Sequence, residues 1–522
     1  MLPVFDPQDS SCKTPFGAVP CGTTVTFTLR DETYYACELL VRREFSGMDE
    51  AAPLPPAEGG FSGVYTAPAE PELCWYGFRF TRDDGSTVCL GKNGWCGQDA
   101  LTRWQLTVYE DTPTPAWFGE GVTYQIFPDR FRRISVPETE GMVGHRWVHP
   151  CWDDQPVFLP EENGQITNRD FFGGSLAGIT EKLDYLQSLS VSTIYLNPIF
   201  EAGSNHRYNT ADYLAIDPML GTEEDFRTLC REAHDRGIRI ILDGVFNHTG
   251  SNSRYFNADG FYPEPGAAQS KDSPYFPWYS FHPWPTEYDA WWGIHTLPAV
   301  NEDAPDYRRF IISDEDSVVR RWLRCGADGW RLDVADELPD DFIAAIRTAI
   351  TQEKPDGYLL GEVWEDGSNK IAYSRRRRYL LGQETHGLMN YPFRTALLAW
   401  LGGGDAADFR RGMETIRENY PPAAFYGAMN FLGTHDTARI LTLLGAEDIP
   451  ADKPERAAYR LSPAELARGQ RRLRLAGMLL YSFPGSPTLY YGDEAGMQGF
   501  EDPLNRCLLY TSPSPRDAHE SR

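Results

Sequence analysis

GWRLDVADE, residues 329–337, opens as an apolar strand and ends on a carboxylate, Asp333. The same design recurs downstream. LLGEVWED (359–366) presents Glu362, FLGTHDTAR (431–439) presents Asp436, and upstream LDGVFNH (242–248) presents Asp243. Carboxylates at the C-terminal tips of successive barrel strands face one shared mouth. Glycosidic bond cleavage needs such a set, because one carboxylate attacks while another carboxyl donates a proton. Taken singly, an Asp or Glu at a strand tip more often caps the next helix. The ordered recurrence reverses that preference.

Working outward, strand-like segments occur at Gly121–Phe127, Ser192–Leu196, Arg239–Asp243, Gly329–Val334, Tyr358–Val363, Gly387–Tyr391, Asn430–Thr434 and Thr488–Tyr491. Amphipathic segments lie between most of them. In Gly178–Leu189, Ile179, Leu183, Leu186 and Leu189 recur at helical spacing. Alternating strands and helices predict an α/β fold, a (β/α)8 TIM barrel over residues 117–506. One connection, residues 247–301, is too long for a βα loop. It carries Tyr255, Phe256, Trp278, Tyr279, Trp284, Tyr288, Trp291 and Trp292 with little helix signal, so it reads as an inserted domain after strand 3. Most of those rings are expected to form the insert's own core, and a minority to line the cleft.

Residues 1–111 read differently. TTVTFTLR (23–30), ACELLVRRE (36–44) and WYGFRFTR (75–82) are β-branched, aromatic and punctuated by Gly, Pro and Asp. They predict an N-terminal β-sandwich. Residues 112–116 follow as a Pro-containing linker.

Composition narrows the function. The 522-residue chain carries a net charge of −26 and 13% aromatic residues. That charge disfavours nucleic acid and anionic membrane surfaces and is compatible with a neutral polymer. The one basic run, Arg375 to Arg378, reads as a solvated helix face. The N-terminus has no signal-peptide pattern, and no apolar stretch is long enough to span a bilayer. The ten cysteines show neither metal spacing nor a dense framework. A cytoplasmic protein with reduced thiols is expected.

These motifs, with GVTYQIFPDRF (121–131), DFFGGSLAGITEKLDYL (170–186) and NPIFEAGSNHRYNTADY (197–213), resemble glycoside hydrolase family 13, the α-amylase family. The last string and VADE (334–337) are most similar to the neopullulanase, maltogenic amylase and cyclomaltodextrinase group. The resemblance implies a starch-binding-like N-terminal domain and the catalytic residues Asp333 (nucleophile), Glu362 (acid, then base) and Asp436. Substrate contacts would come from Tyr208, His248, His435 and Arg331. His206 and Glu337 would line the acceptor side or serve structure, and Asp243 and Asn247 would support the site from behind. His234 and His295 read as structural. Asp333 and Glu362 should lie about 5–5.5 Å apart, as in a retaining enzyme, with Glu362 protonated and Asp333 ionised.

The implied reaction is retaining hydrolysis of α-1,4 and also α-1,6 glucosidic bonds in maltodextrins, cyclodextrins or pullulan, with transglycosylation. A non-catalytic carbohydrate-binding barrel and an α-1,6-glucosidase or transglycosylase are the alternatives. No cofactor is required. The group often binds Ca2+ through an NGD…ND run after the first strand, but RRISVPETEG (132–141) lacks that density of oxygen ligands, so this metal site is expected to be absent. A homodimer and a monomer both remain open.

After Arg506 the resemblance implies a final barrel helix and a C-terminal β-domain. The chain instead reads CLLYTSPSPRDAHESR. Residues 507–517 are what a transposase-type sequencing adapter encodes, so 507–522 read as a translated adapter, the barrel as truncated and the C-terminal β-domain as missing. A natural disordered tail is the alternative.

Overall fold

The computed structural model describes residues 4–161 and 166–509. The chain falls into two compact units. Among the described residues, one holds 4–114, 364–387 and 405–426, and the other holds 115–161, 166–363, 388–404 and 427–509.

All eight expected barrel strands form: β1 (Val122–Ile126), β2 (Val191–Leu196), β3 (Arg239–Gly244), β4 (Gly329–Leu332), β5 (Tyr358–Gly361), β6 (Gly387–Leu388), β7 (Met429–Phe431) and β8 (Ser486–Tyr490). The sheet order is β6-β5-β4-β3-β2-β1-β8-β7. A parallel bridge between Met389 and Met429 joins its two ends, which closes the barrel. The strands are short and apolar. β4 and β5 are buried at every position, and β2 and β3 at all but one. Continuous burial is what a parallel sheet covered on both faces requires. Inside the barrel, Tyr195, Ile241, Leu360, Met389, Met429 and Phe431 pack together, and Phe118 stacks on Tyr358 at 4.4 Å below them.

Register sets the site. Gln125 pairs with Tyr195 across β1 and β2, and Asp243 pairs with Arg331 across β3 and β4. Side chains two apart on a strand share a face, so Arg331 and Asp333 point to the same side.

The helices show ordinary start signals. Helix Glu223–His234 opens with a capping box of Thr222 and Asp225 and buries Phe226, Leu229, Cys230 and Ala233 at helical spacing. The segment expected as one helix over 178–189 is two, Leu176–Glu181 and Leu183–Ser188, broken at Lys182. Thr180 Oγ1 donates back to Leu176 O at 3.0 Å, a bond that bends helices. Ile179, Leu183 and Leu186 are buried as their spacing required, whereas Leu189 is only half-buried.

In the insert, Tyr255, Phe256, Trp278 and Tyr279 are buried. Tyr255 meets Trp278 at 5.2 Å, and Phe256 meets Tyr279 at 4.9 Å and Tyr288 at 4.6 Å. Trp292, 78% exposed, and Phe261, 41% exposed, stand apart from that core.

The N-terminal strands form as a four-stranded and a seven-stranded sheet around Phe5, Phe27, Tyr76 and Phe78. This unit also takes in two later segments. Gln105 Nε2 donates to Ser368 Oγ at 2.9 Å, and Thr107 Oγ1 donates to Asn419 O at 2.7 Å. The Arg375–Arg378 run is not a solvated helix face. Arg375–Arg376 pairs with Ile371–Ala372 in a small hairpin. Arg376 lies 5.3 Å over the Trp75 ring, and Arg378 lies 4.1 Å over Phe45. Guanidinium planes cover aromatic faces well, which half-buries Arg376 and Arg378.

Residues 507–509 are packed. Tyr491 Oη donates to Cys507 O at 2.6 Å, and Leu508 and Leu509 are buried. The rest of the segment read as an adapter, 510–522, lies outside the described residues. Among the described residues, no helix is long and apolar enough to cross a membrane.

Candidate active site

The strand tips converge on Arg331, which is fully buried. Its Nη1 donates to Asp243 Oδ1 at 2.7 Å and to Asp333 Oδ1 at 2.8 Å. Its Nη2 lies 2.7 Å from Glu362 Oε2. One guanidinium therefore holds three carboxylates from β3, β4 and β5. Glu362 Oε2 also accepts from Val334 N at 2.9 Å, and Tyr391 Oη donates to Glu362 Oε1 at 3.5 Å. Val334 has a φ of 41°, left-handed for a β-branched residue. That strain, where the chain leaves β4, aims its N–H at the neighbouring carboxylate.

Asp243 collects three donors. Arg331 reaches Oδ1, while Tyr195 and Tyr208 hydroxyls reach Oδ2 at 2.7 and 2.8 Å. Tyr208 stacks on His435 with centroids 5.2 Å apart and planes at 8°. Its hydroxyl lies 2.7 Å from His435 Nε2, and Asn197 Nδ2 donates to it at 2.9 Å. Behind His435, Gln125 Nε2 lies 2.9 Å from Nδ1. His435 Nε2 also lies 3.2 Å from Asp436 Oδ2.

Asp436 faces a cation of its own. Arg506 Nη2 lies 3.7 Å from Asp436 Oδ1, Arg506 Nη1 lies 2.8 Å from Asp502 Oδ1, and Arg506 Nε donates to His435 O at 3.1 Å. His248 is buried, stacked on Trp291 at 5.1 Å, with Asn247 Nδ2 3.2 Å from its Nδ1. Trp291 stacks in turn on Trp292, whose indole N–H donates to Glu337 Oε1 at 3.3 Å. His206 Nδ1 accepts from Tyr208 N at 3.0 Å, and its ring lies 5.8 Å from that of Tyr208.

Asp243, Asp333, Glu362, Asp436, Arg331, Tyr208, His435 and His206 thus form one connected set, and Asn247, His248 and Glu337 form a second through Trp291 and Trp292. His234 instead lies on its outer helix, 2.7 Å from Asp328 Oδ2. His295 packs on Tyr288 in the insert.

The electrostatics follow from burial. Burial first, then the charges of Glu362 and Asp243, push Asp333 well above the usual carboxylate range; Arg331 opposes them. Burial also raises Asp243 against the same guanidinium. Asp436 keeps about a third of its side chain exposed. Burial, then Glu362, nonetheless raise it to about 7, with Arg506 and Arg331 pulling the other way. Burial and two neighbouring carboxylates thus work against the ionised Asp333 that the sequence predicts, and Arg331 works for it. Burial lowers His206 to about 3 and His248 to about 4, and it drives His435 well below its usual range. All three rings are neutral donors or acceptors.

Residues that the sequence reading passed over complete the set: Gln125, Tyr195, Asn197, Asp502 and Arg506. Asp502 and Arg506 sit in DPLNR, at the end of the eighth-strand motif. Gln125 shows only as a polar residue inside an apolar strand, a signal too common to act on.

The residues after β1 do not fit the Ca2+ that the resemblance brings to mind. Arg133 Nη1 donates to His149 O at 2.9 Å and to Phe172 O at 3.3 Å, and Nη2 donates to Pro150 O at 3.2 Å. These carbonyls serve a guanidinium, which leaves them as no oxygen cage for a cation.

Residues 125–519 match the family described as "Alpha amylase, catalytic domain". An amylopullulanase of Thermoanaerobacterium saccharolyticum is 37% identical over 96% of this chain, which spans 42% of that protein's length. A cyclomaltodextrinase of Geobacillus thermopakistaniensis is 34% identical over 76% of this chain and 59% of its own. Among solved structures, the type III pullulan hydrolase from Thermococcus kodakarensis superimposes with a TM-score of 0.66 at 29% identity, covering 99% of this chain and 85% of that one.

Proposed function

Because the chain belongs to the alpha-amylase family, we propose that it is a retaining α-glucan hydrolase acting on α-1,4 and α-1,6 glucosidic bonds of maltodextrins, cyclodextrins and pullulan. The observation that carries this reading is the Arg331 fork, which holds Asp333 and Glu362 side by side in the barrel mouth with Asp436 facing them.

In the reactive proton distribution, Glu362 carries a proton and Asp333 is ionised against Arg331. An Asp333 oxygen attacks the anomeric carbon as the bond to the leaving oxygen breaks, and Glu362 gives that oxygen its proton. The sugar is then held as an ester of Asp333. Glu362, now a carboxylate, takes a proton from water; the water oxygen attacks the anomeric carbon and frees Asp333. A sugar hydroxyl in place of water gives transglycosylation. Asp436 and His248 grip hydroxyls of the sugar being cleaved, Tyr208 lies beneath its ring, and His435 stacks on Tyr208. Trp292 and Glu337 serve the acceptor side.

No cofactor enters this scheme. The substrate is a neutral oligosaccharide or polysaccharide. None of the ten cysteines is paired, which suits a reducing cytoplasm. The oligomeric state, monomer or homodimer, is read by light scattering.

The test is incubation with maltotriose, pullulan and β-cyclodextrin, following products by proton NMR. Initial release of the α-anomer is expected, and Asp333→Asn should abolish it while leaving the circular dichroism spectrum unchanged. Release of the β-anomer first, or no reducing sugar from any substrate, sinks the proposal.

A further inference from the structure

Four polar side chains behind the site form a line whose protons can be counted. Gln125 Nε2 lies 2.9 Å from His435 Nδ1 and donates to Asn197 Oδ1 at 3.1 Å. The Tyr208 hydroxyl lies 2.7 Å from His435 Nε2, 2.9 Å from Asn197 Nδ2 and 2.8 Å from Asp243 Oδ2. Gln125, Asn197 and His435 are all at most 2% exposed, so water does not rescue a mismatch.

We infer that Gln125 is a positioning residue that locks His435 as the Nε2–H tautomer and thereby turns the Tyr208 proton onto Asp243. This rests on the α-glucan hydrolase reading for its catalytic consequence, but not for the tautomer itself.

The count favours one direction, and Asp436 Oδ2, 3.2 Å from His435 Nε2, offers the ring hydrogen a second acceptor. With Gln125 donating, His435 Nδ1 accepts and Nε2 bears the hydrogen. Tyr208 oxygen then accepts from His435 and Asn197 and donates its one proton to Asp243, so all its contacts are satisfied. Reversing both amides and the ring would leave one hydroxyl proton facing three acceptors: His435 Nε2, Asn197 Oδ1 and Asp243 Oδ2. Turning Gln125 alone would set its oxygen against Asn197 Oδ1 at the 3.1 Å now spanned by a hydrogen bond. The cost of the favoured arrangement is one buried amide oxygen, Gln125 Oε1, without a hydrogen-bond partner among the described residues. One unmet acceptor is cheaper than two unmet contacts at a hydroxyl beside a carboxylate.

The reaction feels this through Asp243. That carboxylate shares Arg331 Nη1 with Asp333. While Tyr208 and Tyr195 satisfy Asp243, Arg331 can keep its contact with the nucleophile. If Tyr208 turns its proton to His435, Asp243 loses a donor and draws Arg331 away from Asp333. The acid limb of the pH profile then moves to higher pH.

The test uses the full chain labelled with 15N-histidine, its His435 signals assigned by their loss in His435→Asn. Two-bond proton–nitrogen spectra distinguish the tautomers. The native ring is expected as Nε2–H. Gln125→Glu, whose carboxylate accepts from Nδ1–H, should switch it to Nδ1–H. It should also lower kcat on maltotriose about tenfold or more, change KM less than threefold and raise the acid limb. Gln125→Met, of similar length without donor or acceptor, keeps the fold testable should the buried Glu unfold it. A mixture of tautomers is expected there, with a smaller loss of kcat. A native Nδ1–H ring, or a Met variant that stays wholly Nε2–H, overturns the lock. A switched tautomer with unchanged kcat and pH profile overturns the catalytic link. Absence of glucan turnover in the native enzyme would refute the hydrolase reading and leave the tautomer result standing.

Discussion

Arg331 is fully buried and faces Asp243, Asp333 and Glu362 at once, so its surroundings decide what each carboxyl can do. Removing the proposed proton donor should cost most. Glu362→Gln should lower kcat on maltotriose by about 10²–10⁴-fold, the usual worth of a positioned acid–base. Reducing-sugar assays check this, and a variant with near-native turnover would remove Glu362 from the chemistry. The histidines give a separate prediction in stability. His248 titrates at about 4 in the folded chain against an ordinary 6.5. Below pH 6.5 the unfolded chain takes up a proton that the folded chain refuses, so stability is lost as pH falls toward 4. Asp436, raised to about 7, works with the opposite sign: its stabilising share is lost as pH rises from 3.8 to 7. His248→Gln should therefore narrow the difference in urea stability between pH 7 and pH 4.5 by about 2 kcal/mol. An unchanged difference would mean that His248 titrates normally.

Elements record which signals a linear sequence can carry. The strands ending at Asp243, Asp333 and Glu362 were legible because burial on both faces writes a run of apolar residues that stops at a carboxylate. The break at Lys182 was not, because the helical spacing of Ile179, Leu183 and Leu186 continues across it. The Arg375–Arg378 run was misread because its partners, Trp75 and Phe45, lie some 300 residues away in sequence. Gln125 was invisible for the same reason: its meaning lies in His435, on another strand. The segment after β1 carries a prediction of its own. Arg133 ties three backbone carbonyls that would otherwise be short of donors. Arg133→Met should lower stability by about 1–3 kcal/mol, and added Ca2+ should not restore it. A chelator should leave the native melting temperature where it was. A native melt that falls on chelation would show that a metal, and not Arg133, secures this segment.

At the scale of the whole chain, the N-terminal compact unit ends at Thr114, inside the 112–116 linker, but it also takes in later segments. The N-terminal sheets belong with residues 364–387 and 405–426. The links inside that unit are specific: Asn369 Nδ2 donates to Gln105 Oε1 at 2.7 Å, Gln383 Nε2 donates to Glu110 Oε2 at 2.6 Å, and Arg417 covers Phe16 at 4.0 Å. The strand Trp104–Tyr109 and the helix Ala406–Asn419 also meet through Thr107 and Asn419. Were residues 1–111 an independent binding module, cutting before the linker would leave the remainder intact. The contacts predict otherwise. A chain beginning at Pro115 would keep residues 364–387 and 405–426 but lose the contacts that Phe16, Gln105, Thr107 and Glu110 make with them. It should bind a hydrophobic dye that the full chain does not, and melt at lower temperature with reduced cooperativity. Supplying residues 1–114 as a separate chain should reverse both effects, since the missing contacts are non-covalent. The comparison is a calorimetric melt and dye titration of the full chain, the shortened chain and the mixture. A shortened chain that melts like the full one would make the N-terminal sheets an appendage.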